Sequence, residues 1–143
     1  MDPTYELAAA VIARLRSSPA LTAFVGTKIY DRVPENQDGT LNVTSPYISL
    51  GPSDAVSDDA DCVDGLVVTF QVDAWSWGIG EAFSRAEVSK IADAVRRALM
   101  GQDITLAENA VVTLGHRVTR IMRASDGITN HAAITFEAFV ETP

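Results

Sequence analysis

The chain has 143 residues, 47% of them hydrophobic, with 19 acidic side chains against 11 basic ones for a formal net charge of −8. A chain of this size buries roughly two thirds of the surface it exposes when unfolded, enough for one core, so residues 1–143 are expected to form a single domain. One cysteine, Cys62, excludes an internal disulfide framework and a cysteine-rich zinc module, two lysines (Lys28 and Lys90) give no basic patch for nucleic acid, and no apolar run reaches the roughly 18 residues of a membrane span.

Met1-Asp2-Pro3 places no basic region before an apolar stretch and does not read as a signal peptide, which points to synthesis in the cytoplasm. Ala8, Val11, Ile12 and Leu15 recur at helical spacing, and Asp2 and Pro3 suit the cap and first turn of a helix ending near Ser17. Ser18, Pro19, Leu21 and Phe24 predict a second, short helix that Gly26 can end. Lys28 to Val33 reads as a short strand, Glu35 to Ser45 as an exposed loop, and Pro46 to Gly51 as a strand that Pro52 closes. Asn42-Val43-Thr44 matches a glycosylation tripeptide without the secretory context it needs. Ser53 to Gly65, with Asp54, Asp58, Asp59, Asp61 and Asp64, reads as a second long loop that holds much of the negative charge.

Leu66 to Trp77 alternates, with Leu66, Val68, Phe70, Val72 and Ala74 on the core face and Thr69, Gln71, Asp73 and Trp75 on the other. A helix from about Glu81 to Met100 follows, its apolar stripe formed by Val88, Ile91, Ala92, Val95 and Leu99, with Arg85, Glu87, Lys90, Asp93 and Arg97 toward water and Gly101 at its end. Two strands close the chain, Val111 to Arg123 and Thr129 to Glu141. Their even positions carry the apolar residues, so even must oppose even; that asks for an odd-numbered loop, met by Ser125-Asp126-Gly127, and sets Val118 opposite Ile134. The order predicts an α+β two-layer sandwich, a mostly antiparallel sheet of about four strands with two main helices packed on one face.

Few residues point to chemistry. Gly78-Ile79-Gly80 sits between strand and helix as a dinucleotide-binding turn does, but Phe83 occupies the place of the third glycine. Asp59, Asp61 and Asp64 offer oxygen ligands, yet Val63 and Phe70 stand where a twelve-residue calcium loop needs a third oxygen ligand and a closing glutamate. His116 falls on the core face and His131 on the opposite face of the neighbouring strand, so they cannot share a metal. There is no Gly-x-Ser-x-Gly turn, and the aspartates lack apolar surroundings to raise a carboxyl pKa. No enzyme, cofactor or metal site is therefore expected. Trp75 and Trp77 instead place aromatic bulk on the face opposite the core, where it marks a protein interface unless it is locally buried.

Leu21-Thr22-Ala23-Phe24-Val25-Gly26, Lys28-Ile29-Tyr30-Asp31, Val33-Pro34 and Ser45-Pro46-Tyr47-Ile48-Ser49-Leu50-Gly51, followed by Trp75-Ser76-Trp77, the helix from Ala86 to Leu99 and a final Phe136-Glu137-Ala138-Phe139, resemble the tail-terminator (tail-completion, head-to-tail joining) proteins of long-tailed phages, prophages and gene transfer agents. The resemblance spans nearly the whole chain. It implies a non-enzymatic virion protein that forms a ring, usually a hexamer, at the head-proximal end of the tail tube. There it would stop tube polymerisation and join the tube protein to the head connector, with DNA passing through the lumen without specific binding and no membrane contact. The alternative is another head-tail joining or minor tail protein of such a particle. Candidate interface residues are Trp75, Trp77, Tyr30, Tyr47 and, in the acidic loop, Asp58, Asp59 and Asp61, the loop suiting a lumen or end-face position where negative charge lets DNA slide.

Overall fold

The two N-terminal helices start where their caps dictate. The Asp2 carboxylate accepts the Tyr5 N–H at 2.9 Å to begin α1 (Pro3–Arg16), and the Ser18 hydroxyl accepts that of Leu21 at 3.4 Å to begin α2 (Pro19–Val25). Gly26 ends α2 at φ 61, a conformation that favours glycine. The computed structural model describes residues 1–58 and 64–143. Among them lie a third helix, α3 (Ala86–Met100), introduced by a 3-10 turn at Gly80–Ala82, and five strands. These are β1 (Ile29–Tyr30), β2 (Tyr47–Ser57), β3 (Asp64–Ser76), β4 (Ala110–Arg123) and β5 (Asn130–Thr142).

The strands form one sheet in the order β1-β2-β3-β5-β4, antiparallel except where β1 runs parallel to β2. The helices cover one face. Leu7, Val11 and Leu15 of α1, Leu21 and Val25 of α2, and Val88, Ile91, Val95 and Leu99 of α3 pack on Val68, Val72 and Ala74 of β3 and on Ile134, Phe136, Ala138 and Val140 of β5. This is the expected two-layer sandwich, with the short helix α2 joining the two main helices and five strands in the sheet where about four were expected. The strand expected from Lys28 to Val33 is only two residues long, because Ile29 and Tyr30 alone pair with β2 before Asp31 turns away. The helix layer is tied to the last hairpin by Glu6, buried, whose carboxylate accepts the Asn109 N–H at 3.0 Å, the Glu108 N–H at 3.2 Å and the Asn109 side-chain amide at 3.2 Å. Burial alone would raise the Glu6 pKa, but the Asn109 and Glu108 donors outweigh it and hold the carboxyl below its ordinary value.

Further readings of the sequence change. The helix expected from about Glu81 begins only at Ala86, after the 3-10 turn. The acidic loop is shorter than expected: Pro52 does not close β2, which runs on to Ser57, and β3 already begins at Asp64. Gly51 and Pro52 are absorbed in a bulge between Leu50 and Ser53, a place where a strand tolerates a residue that cannot donate. Ser53 to Ser57 escaped recognition because all five are exposed and show no alternation. The final hairpin turns through four residues, not three, since the Ala124 N–H bonds the Thr129 carbonyl at 2.8 Å around Ser125–Ile128; Gly127 does take the left-handed conformation, at φ 73. An even-numbered loop sets odd against even, so Thr119, not Val118, opposes Ile134 and Val118 points outward. A bulge between His116 and Val118 then restores even against even, and His116 lies opposite Phe136 on the core side as the alternation required. Finally, Glu87 does not face water freely: it accepts the buried Ser76 hydroxyl at 2.6 Å and fastens α3 to the end of β3.

Candidate functional site

With α1, α2 and α3 on one side, no described helix covers the other face of the sheet, and its character follows from the odd positions of β3 and β5. Trp75 lies between Tyr47 of β2 and His131 of β5 in the ladder. Its ring stacks on His131 at a centroid distance of 3.8 Å and an interplanar angle of 7°, and on Tyr47 at 6.2 Å. Tyr47 meets Trp77 edge-on at 6.1 Å and Tyr30 of β1 at 6.5 Å. The four aromatic residues singled out in the sequence thus form one cluster, gathered from three adjacent strands at one end of the sheet. Local burial and interface exposure both apply: Tyr47 is buried, whereas Tyr30, Trp75 and Trp77 are half-buried.

A polar chain beneath the rings fixes them. The Trp75 indole N–H donates to the Ser49 hydroxyl at 3.0 Å, His131 Nε2 lies 2.6 Å from Asp73 Oδ1, and the Gln71 amide donates to the same oxygen at 2.8 Å. The Trp77 backbone N–H donates to Ser45 at 2.8 Å. Asp73 and Ser49 are buried yet bonded, as buried polar groups must be. Burial pushes the Tyr47 hydroxyl pKa up, and the nearby Asp73 carboxylate adds to the effect. Asp73, Gln71 and Ser49 were not foreseen as part of this site. The signal was present in the odd positions of β3, but the partners of Trp75 could be named only once β3 was known to lie between β2 and β5.

Two segments turn the cluster into a groove of about 610 Å³. Val33, Leu41 and Val43 from the loop after β1 wall one side, and Ala124, Ile128 and Thr129 from the last hairpin wall the other. Leu41 and Ile128 stand at the rim with 52% and 68% of their surface open. The hairpin is held by Asp126, whose carboxylate accepts the Ile128 and Thr129 N–H groups and the Thr129 hydroxyl at 2.6 to 2.9 Å. These bonds hold the Asp126 carboxyl below its ordinary value. Such a groove presents an apolar floor with fixed polar groups and suits a protruding side chain of another protein.

Of the acidic candidates, Asp58 does not join this groove. Asp58 is exposed beyond the far end of β2, eleven residues from Tyr47 and so roughly 36 Å along the strand. Asp59 and Asp61 lie outside the described residues, as does Cys62. Among the described residues no group of histidine, cysteine, aspartate and glutamate is placed to hold a metal ion. His116 bonds Thr119 at 2.8 Å and meets Phe136 edge-on at 5.7 Å, far along the ladder from His131. No helix among the described residues is long and apolar enough to cross a membrane.

Comparison with known proteins follows the same outline. A family model described as Tail completion protein gp17 matches residues 9–141. A chain from a structure of the virion of a native gene transfer agent (GTA) particle is 29% identical, with a TM-score of 0.85 and 98% of each chain covered. The gp17 protein of bacteriophage SPP1 is 19% identical with a TM-score of 0.59, covering 94% of this chain and 88% of that one, a likeness of fold. No curated protein matches the sequence.

Proposed function

The chain belongs to the Tail completion protein gp17 family, and from that premise we propose that it forms a ring at the head-proximal end of a tail tube. In that place it stops tube polymerisation and joins the tube to the head connector. The observation that carries this reading is end-to-end similarity to a chain of a gene transfer agent virion, at 29% identity over 98% of both chains. The fold adds physical support. A one-sided sheet with an aromatic groove on its open face has surface to spare for partners, and a closed ring needs two different patches on each subunit, since its contacts run head to tail. Asp58 lies apart from the groove, beyond the end of β2, and the negative charge that Asp58, Asp59 and Asp61 bring to this stretch of sequence suits the lumen or an end face, where DNA passes without sticking. Deletion of the gene from a particle-producing strain tests the role: tails of uncontrolled length, detached from heads, are expected in electron micrographs. Tails of normal length joined to heads would defeat it.

A further inference from the structure

The two outer strands of the sheet leave matching edges open. Among the described residues β4 ends the sheet and β1 covers β2 only at Ile48 and Ser49, so β2 from Ser53 to Ser57 pairs on one side alone. The two edges share four regular rows. On β4 the ladder is regular from Thr113 to His116, between bulges at Val111/Thr113 and His116/Val118; on β2 it is regular from Ser53 onward, after its own bulge. Following the pairings across the sheet puts these segments in the same four rows. Val56 aligns through Val67 and Phe139 with Thr113, Ala55 with Leu114, Asp54 through Thr69 and Glu137 with Gly115, and Ser53 with His116.

We propose that Thr113–His116 of one copy pairs with Ser53–Val56 of the next, continuing the sheet from subunit to subunit. Strand direction permits it: β2 is antiparallel to β3, β3 to β5 and β5 to β4, so a second copy in the same orientation sets its β2 antiparallel to β4. Charge is complementary in the matched rows. Arg117 leans to Glu137 on the open face, the row that ends at exposed Asp54, so the neighbour's Asp54 would give this guanidinium a second carboxylate. Apolar surface also meets apolar surface: Val56 is 62% exposed at one edge and Val112 52% at the other, flanking the row of Val67 and Phe139. Unpaired strand edges with exposed valines are a liability for a lone chain and an asset for one that repeats.

This inference rests on the ring reading and specifies its interface. The test uses the full chain with Cys62→Ser as background and adds Val56→Cys and Thr113→Cys together. Both sites are exposed, so the fold is retained, and directly opposed residues of an antiparallel pair lie close enough for a disulfide. Mild oxidation should give a ladder of covalent oligomers closing at the ring size, while either single cysteine gives none, because the contact is not self-complementary. In the same background, Arg117→Glu should raise the concentration needed for assembly about tenfold, and Asp54→Arg added to it should restore assembly. Wild-type protein that forms rings while the paired cysteines stay unlinked overturns the inference and leaves the ring reading standing. Wild-type protein that stays monomeric at every concentration and on tail tubes overturns both.

Discussion

The two faces of one sheet obey different rules. On the helix-covered face the side chains are apolar from Leu66 to Ala74 of β3 and from Ala132 to Val140 of β5, and Ile134, Phe136, Ala138 and Val140 are fully buried. On the open face the same strands carry Trp75, Asp73, Gln71, His131 and Glu137, with Gln71, Asp73 and His131 joined by hydrogen bonds and Trp75 bonded to Ser49. The first face is explained by water exclusion alone. The second holds a cluster of stacked rings over a buried carboxylate, an arrangement that a merely solvated face would not need. If the proposed role holds, stability and assembly fall on opposite sides of the same backbone, and substitutions on the two sides should separate them.

The largest loss is expected on the covered face. Phe136→Ala leaves a cavity between β5 and the helices and should cost about 3–5 kcal/mol in a urea unfolding curve; a cost under 1 kcal/mol would mean that the covered face is not the core. Next comes Glu6, which holds α1 to the approach to β4. Because its carboxyl is held below the ordinary glutamate value of 4.5, its stabilisation is full above that value and is lost as pH falls through the folded value. Glu6→Gln should lower the unfolding midpoint at pH 7 and remove part of the acid sensitivity; identical pH profiles for the two proteins would refute the assignment. On the open face the effects shrink. His131→Ala removes the ring stacked on Trp75 and should cost about 1–2 kcal/mol while shifting tryptophan fluorescence to the red as water reaches the indole. Ile128→Ser at the groove rim should change stability by no more than about 0.5 kcal/mol, and a larger drop would place Ile128 in the core rather than at a docking rim.

How much of this could be read from sequence depended on how each element signals itself. Caps at Asp2 and Ser18, the stripe of α3 and the alternation in β3 are local patterns; α1, α2 and β3 appear where these place them, and α3 keeps its stripe and end but begins at Ala86, not Glu81, because Gly80–Ala82 form a 3-10 turn. Leu7 was missed in the α1 stripe because it lies one residue before the i, i+3, i+4 set that began at Ala8. The lower half of β2 carries no pattern, since a strand paired on one side and exposed has no face to bury; only its ladder with β3 reveals it. The register of the last hairpin combined an even-numbered turn with a bulge, and bulges leave no mark in an alternation that is already weak along an edge. For the site, Trp75 and Trp77 announced themselves by size on the wrong face, and Tyr30 and Tyr47 through the family resemblance. Asp73 and His131 became part of it only through neighbours on other strands, which no single stretch of sequence contains.

The division between the faces is tested most directly at Trp77, half-buried in the groove and outside the core, by pairing thermal unfolding of the purified Trp77→Ala chain with counts of head-attached tails in a strain carrying the same substitution. The melting temperature is expected to fall by roughly 4 °C or less, while most tails lose their heads. Normal joining, or a variant that is unfolded at the growth temperature, would contradict the assignment of this face to assembly.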